Sequence, residues 1–198
     1  MSDNRWRHYY DVAGEDPRPT LQAALAAWGD APPGQAIDLG CGTGRDAVPL
    51  LLAGWRVLGI DGEAEALPRL DARLDAATRA RLTKLHAKFE ALGPLPAADL
   101  INASMSLPFC APEAFPALWA NIRAALAPGG LFCGHLLGPN DSWAARGVDV
   151  HDRATVTAML AGLKVLRCAE SERDGTTAKG TAKHWHIFEI VARAPAVR

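Results

Sequence analysis

The chain has 198 residues, 49% of them hydrophobic and 22% charged, with a formal net charge of −1. That length buries a substantial core without covalent staples, and the composition is that of a soluble globular protein, not a disordered or fibrous one. The near-neutral charge excludes a global pull towards nucleic acid or an anionic membrane and favours a small or weakly charged partner.

The opening stretch, Met1 to His8, is polar and has no apolar signal core. No run approaches the roughly 18 apolar residues of a spanning helix. The four cysteines, Cys41, Cys110, Cys133 and Cys168, form no CxxC pair. That pattern argues against a zinc site or a disulfide framework and for reduced, mostly buried thiols. The expectation is a cytoplasmic monomer or homodimer with no metal, nucleic-acid or membrane partner.

An aromatic lead, Trp6 to Tyr10, precedes a helix over about Thr20 to Trp28. Ala36-Ile37-Asp38-Leu39 reads as a short buried strand, followed by a helix from about Thr43 to Leu52 that ends at Gly54. Trp55 to Ile60 is a second strand. Ala64 to Thr78 is helical, with Leu67, Leu70 and Leu74 on one face. Leu82 to Ala87 and Leu100 to Ser104 are the third and fourth strands. Pro112 to Leu126 is a helix with Phe115, Leu118, Ile122 and Leu126 aligned, stopped by the turn Pro128-Gly129-Gly130. Leu131 to Leu137 is a fifth strand, and Ala154 to Leu160 a short helix after a polar loop. Lys164 to Glu170 and Trp185 to Ala192 are strands with no helix between them, so they pair antiparallel. The whole predicts an α/β fold: a Rossmann-like, seven-stranded, mostly parallel sheet with helices on both faces and an antiparallel C-terminal pair. It is read as one domain over 1–198, in which 1–30 form a helical cap.

Gly40, Gly42 and Gly44 follow a strand and open a helix. Backbone without Cβ admits a ligand closely, and a helix start offers free N–H groups. The spacing is Gly-x-Gly-x-Gly. A dinucleotide loop needs glycine at 45, where Arg45 stands, so a nicotinamide enzyme is disfavoured. Asp38, at the strand end, can receive an ammonium group or ordered water. Asp61, ending the second strand about twenty residues on, stands where an acidic side chain meets ribose hydroxyls.

Asp38-Leu39-Gly40-Cys41-Gly42-Thr43-Gly44, followed by Val57-Leu58-Gly59-Ile60-Asp61 and by Ala124-Ala125-Leu126-Ala127-Pro128-Gly129-Gly130, resembles the class I methyltransferases that use S-adenosyl-L-methionine (SAM). The chain's shortness, Tyr9 and Tyr10, and Ser106-Leu107-Pro108-Phe109 resemble the small-molecule branch of tellurite-resistance and thiopurine-type enzymes. The resemblance implies that Gly40 and Gly42, with Cys41 and Gly44 in the same loop, approach the methionine and ribose portion. It implies that Asp61 holds the ribose, that Gly62 leaves room beside it, and that Phe89 covers the adenine. Lys88 stands where the family often has a carboxylate, so Glu90 or a backbone carbonyl is expected to take over that contact. Ala103 is a backbone contact to the methionine part, Ser104 faces the methyl group, and Arg18 pairs with the methionine carboxylate. Tyr9, Tyr10 and Trp6 are candidates for a lid over the sulfonium.

The best basic cluster is His184-Trp185-His186, whose two imidazoles share one strand face. With Tyr10, they are the candidate catalytic residues, and His135 is a second candidate base. Two histidines without a carboxylate or cysteine partner make a weak metal set. Ser106, Phe109, Asp141 and Trp143 are expected to frame a pocket for a small, partly hydrophobic acceptor. The expected function is methyl transfer from SAM to such an acceptor. A SAM-binding regulatory protein that has lost catalysis is the alternative.

Overall fold

A computed structural model describes residues 4–197. Met1, Ser2 and Asp3, part of the polar leader and of the expected cap, lie outside the described residues. The elements in order are α1 (Asn4–Val12), α2 (Pro19–Trp28), β1 (Gln35–Leu39), α3 (Ala47–Leu52), β2 (Arg56–Asp61), α4 (Ala66–Asp71), α5 (Ala76–Arg79), β3 (Leu82–His86), β4 (Ala98–Ala103), α6 (Phe115–Ala125), β5 (Leu126–Leu137), α7 (Arg153–Met159), β6 (Lys164–Thr176) and β7 (Ala182–Arg193).

The strands form one seven-stranded sheet in the order β3-β2-β1-β4-β5-β7-β6. The pairs from β3 through β5 are parallel, while β7 runs antiparallel to both β5 and β6. Central strands buried on both faces need continuous apolar runs, and β1 shows this, buried from Ala36 to Leu39. Alternate residues feed two cores. Ile37 and Leu39 pack with Leu118, Trp119 and Ile122 of α6 on one face. Ala36 packs with Leu21 of α2, Leu50 of α3 and Leu70 of α4 on the other. Helices therefore cover both faces, as the alternating sequence predicts. The topology turns at β1 and β4, where neighbouring connections leave in opposite directions and a crevice opens at the strands' carboxyl ends.

Three expectations are corrected. The helix expected from Thr43 begins at Ala47. Gly42 and Gly44 hold left-handed φ of 53° and 89°, so the loop turns before the helix starts. The single helix over Ala64–Thr78 is two, α4 and α5. The Asp75 carboxylate accepts from Thr78 N at 2.7 Å and caps the second, a local bond that competes with a continuous helix. Pro128-Gly129-Gly130 does not end the element but lies inside β5 as a bulge, with Ala98 opposite Leu126 and Leu100 opposite Leu131. Gly129, at φ 76°, donates its N–H to Pro195 O, and Gly130 O accepts from Ala194 N. The terminal pair is also longer than predicted, since β6 runs to Thr176 and β7 starts at Ala182.

Candidate active site

The loop from Leu39 to Asp46 rises at the carboxyl end of β1. Gly40 N and Cys41 N donate to Ile60 O at 2.8 and 3.0 Å, which ties the loop to β2. A cleft beside it is lined by Tyr9, Ala13, Arg18, Asp38, Gly40, Cys41, Gly42, Thr43, Arg45, Asp46 and Ser104. The chain thus brings together Asp38, four members of the glycine loop (Gly40, Cys41, Gly42 and Thr43), and Tyr9 and Arg18 from the N-terminal segment.

Two glycines have clear causes. A Cβ on Gly40, at φ 70°, would stand 2.4 Å from Ser106 Cβ. A Cβ on Gly44 would stand 2.2 Å from a Leu70 methyl carbon. Gly44 is buried and does not line the cleft, so its role is packing against α4, not the ligand contact expected of it.

Asp38 is 2% exposed. Its Oδ1 accepts from Asn102 Nδ2 at 2.7 Å, while Oδ2 is buried with no partner. Asn102 also donates to Asp46 Oδ2 at 3.2 Å and accepts from Ser104 Oγ at 2.8 Å. Burial, and then the charge of Asp46, raise the Asp38 carboxyl to about 8. In the same cleft, the guanidinium of Arg18 has no carboxylate partner among the described residues, and Arg45 donates to Asp16 O at 2.6 Å. Burial and the nearby Arg18 charge pull the Arg45 pKa down. One lone acidic oxygen and two under-paired guanidiniums in one cleft match a zwitterionic amino-acid group. Arg45 and Asp46 were missed in the sequence, where position 45 was read only as lacking glycine. Their place at the start of α3 is the signal that points to them.

Asp61, 7% exposed, accepts from Gly42 N at 2.7 Å, from Glu63 N at 2.8 Å and from Tyr10 Oη at 3.4 Å. It therefore shapes the loop. Tyr10 lies against Gly42, and burial, followed by the Asp61 charge, pushes its hydroxyl pKa upward. This hydroxyl, expected among the catalytic groups, donates to Asp61. The Phe89 ring comes within 3.6 Å of a Cβ built on Gly40, and the Lys88 stem passes Gly62. The Glu90 carboxylate accepts from Ala111 N at 2.9 Å and fixes the loop after β4. Ala103 is fully buried within β4, and Ser104, one residue on, lines the cleft.

The histidine pair does not reach this cleft. His184 bonds Asp174 at 2.7 Å and Glu172 at 3.0 Å through its two ring nitrogens. His186 bonds Glu170 at 2.8 Å and accepts from Asn140 N at 3.3 Å, with its ring stacked on Gly138. Both belong to a ladder of β6 carboxylates, and those carboxylates raise the His184 pKa. Each is engaged by β6 carboxylates, and neither of the two expected bases lines the cleft. Their shared face was legible, but the acidic strand opposite them was not. His135 is 4% exposed and its Nδ1 has no partner. Burial, followed by the Arg18 charge, lowers its pKa to about 3, so it is neutral.

Residues 36–130 match the family described as methyltransferase domain. The matched span is a class I SAM-dependent methyltransferase domain. No curated protein matches the methyltransferase by sequence. Among solved structures, TehB from Haemophilus influenzae superposes with a TM-score of 0.78 at 16% identity, covering 98% of this chain and 67% of that one. The N-methyltransferase NodS from Bradyrhizobium japonicum, solved with S-adenosylhomocysteine (SAH), gives 0.70 at 17% identity, covering 98% and 100%. The 1,6-didemethyltoxoflavin-N1-methyltransferase of Burkholderia thailandensis gives 0.66 at 22% identity, covering 95% and 81%. At these identities the methyltransferase shares their fold.

Proposed function

We propose that this protein transfers the methyl group of SAM to a small-molecule acceptor in the cytoplasm, and that residues 1–198 act as one domain with 1–30 as its cap. The observation that carries the reading is the cleft beside the glycine loop, which is lined by Asp38, with its unpartnered oxygen, and by Arg18 and Arg45. Four free cysteines and the absence, among the described residues, of any helix long and apolar enough to cross a membrane agree with the cytoplasmic reading. Bound SAM supplies an electrophilic methyl group on a positive sulfonium. The chain's own residues position it: Asp38 receives the ammonium, Arg18 and Arg45 receive the carboxylate, and Asp61 takes the ribose hydroxyls in place of Tyr10. Phe89 covers the adenine face. Tyr9 and Tyr10, on α1, close over the cleft and exclude water, so that nucleophile and methyl carbon are held in line.

Calorimetric titration with SAM, SAH and NAD tests the reading. SAM and SAH bind and NAD does not. Asp61→Ala weakens SAM by about 1–3 kcal/mol, because charged hydrogen bonds are lost at both the ribose and the loop. Full affinity in that variant would show that the ribose is held elsewhere.

A further inference from the structure

A network of buried polar groups lies at the base of the cleft. At its centre is Asn102 of β4, which has no exposed surface. Its amide nitrogen donates to Asp38 Oδ1 at 2.7 Å and to Asp46 Oδ2 at 3.2 Å. Its amide oxygen accepts from Ser104 Oγ at 2.8 Å and from Cys133 Sγ at 3.3 Å. Both amide hydrogens and the carbonyl are thus used inside the protein, and Asn102 serves as a bridge between two carboxylates.

Those carboxylates differ in what they leave open. Asp38 keeps Oδ2 buried without a partner. Asp46, immediately before α3 and 4% exposed, has both oxygens taken. Asn102 occupies Oδ2, and the backbone N–H of Arg18 donates to Oδ1 at 2.8 Å. This second bond does not cap α2. A capping oxygen accepts from the second or third residue of a helix, whereas Arg18 precedes Pro19, the first. What the bond fixes is the main chain of Arg18. Two residues on, Thr20 is fully buried and its hydroxyl meets Ser104 Oγ at 3.4 Å. The start of α2 is therefore tied at Arg18 and at Thr20, each time to a group that Asn102 holds. A long side chain such as that of Arg18 is aimed only as well as its backbone is fixed. Burying a carboxylate against neutral partners is costly, which is reason to look for a role beyond stability.

We propose that Asp46 is a positioning residue for the cofactor. Through the main chain of Arg18 it sets that guanidinium against the carboxylate end of the methionine portion. Through Asn102 it shares a support with Asp38, which receives the ammonium end, so the two ends are held at a fixed spacing. The proposal rests on the methyl-transfer reading above, in which Asp38 and Arg18 take those ends.

The test is calorimetric titration of the full chain with three probes. SAH carries both ends, its decarboxylated analogue keeps only the ammonium, and 5′-methylthioadenosine lacks both. The wild-type chain binds them in that order of affinity. Asp46→Ala weakens SAH by about tenfold, the scale of one lost charge-assisted contact, and leaves 5′-methylthioadenosine within about twofold. It also removes most of the advantage of SAH over the decarboxylated analogue. Arg18→Ala has a similar effect, and adding Asp46→Ala to it costs no more than about twofold further, because a residue that acts through Arg18 has nothing left to act on. Asp46→Asn keeps an acceptor for the Arg18 N–H and loses only about threefold, since a neutral acceptor bonds more weakly than a carboxylate. Should Asp46→Ala fail to fold, the asparagine variant carries the same comparison. Equal losses for SAH and 5′-methylthioadenosine, or independent losses at Asp46 and Arg18, overturn the positioning role. A wild-type chain that binds SAH no better than 5′-methylthioadenosine overturns the reading that this cleft holds the methionine portion, so the two failures are distinguishable.

Discussion

At the residue scale, Asp38 shows how the fold prepares a site at a cost to itself. Its carboxyl is raised to about 8 in the folded protein by burial and by Asp46, against an ordinary value near 4. The folded state therefore holds the proton more tightly than the unfolded chain. The group's contribution to stability is present in acid and is lost as pH rises from about 4 to about 8. A ligand ammonium beside Oδ2 reverses this by favouring the charged form. SAM binding at pH 7 is thus expected to release up to about one proton. Calorimetry in buffers of different ionisation enthalpy reads this directly, and Asp38→Asn abolishes the buffer dependence. Identical heats in phosphate and Tris for the wild-type protein would place the ammonium elsewhere. Asp61 was legible in the sequence because it ends a strand beside a glycine, and Asp38 because it stands two residues before Gly40 at the end of a strand's apolar run. The carboxylates that meet the histidine pair were not legible, because one strand's alternation says nothing of the strand paired to it.

At the element scale, α1 is held to the body by exposed ion pairs: Arg7 with Glu65 at 2.9 Å and Arg69 with Asp11 at 2.6 Å. Arg69 also stands over the Tyr10 ring at 5.9 Å. Exposed pairs are weak and screened by salt, so this helix is the natural moving part. Tyr10 donates to Asp61, so on the proposed reading, in which Asp61 takes the ribose, α1 shifts when the cofactor enters. Arg69→Ala removes two of these contacts at once. It is expected to speed tryptic cleavage after Arg7 about two- to fivefold, and to speed SAH dissociation similarly. Unchanged rates would mean that apolar contacts of Trp6 and Tyr10 hold the helix. The sequence led to a helical cap over 1–30 with an aromatic lead, but not to where α1 docks. Its position depends on partners at 61, 65, 69 and 109, each distant in the chain.

At the scale of the whole molecule, the site is assembled from β1, β2, β4, the loops above them and α1. A ligand that bridges these parts binds only the folded chain. SAH at about one hundred times its Kd therefore adds about 2.7 kcal/mol, which raises Tm by roughly 5–10 °C for a chain of this size. Thermal unfolding followed by circular dichroism measures the shift, with NAD as the inert control. An equal rise with NAD would show that the cleft does not select SAM.

The sequence by itself determined the alternation of strands and helices, the left-handed glycine loop with Asp38 and Asp61, and the antiparallel ending, because each rests on periodicity or on backbone freedom local to a few residues. Tertiary structure alone decided four other features: that Gly44 serves packing, that Glu90 ties down a loop, that His184 and His186 answer to acidic residues of β6, and that Lys183 lies between two indoles. These roles are fixed by which groups meet across the sheet and its loops. A charged or aromatic side chain takes its function from the partner it is buried against, and that partner lies far away in sequence.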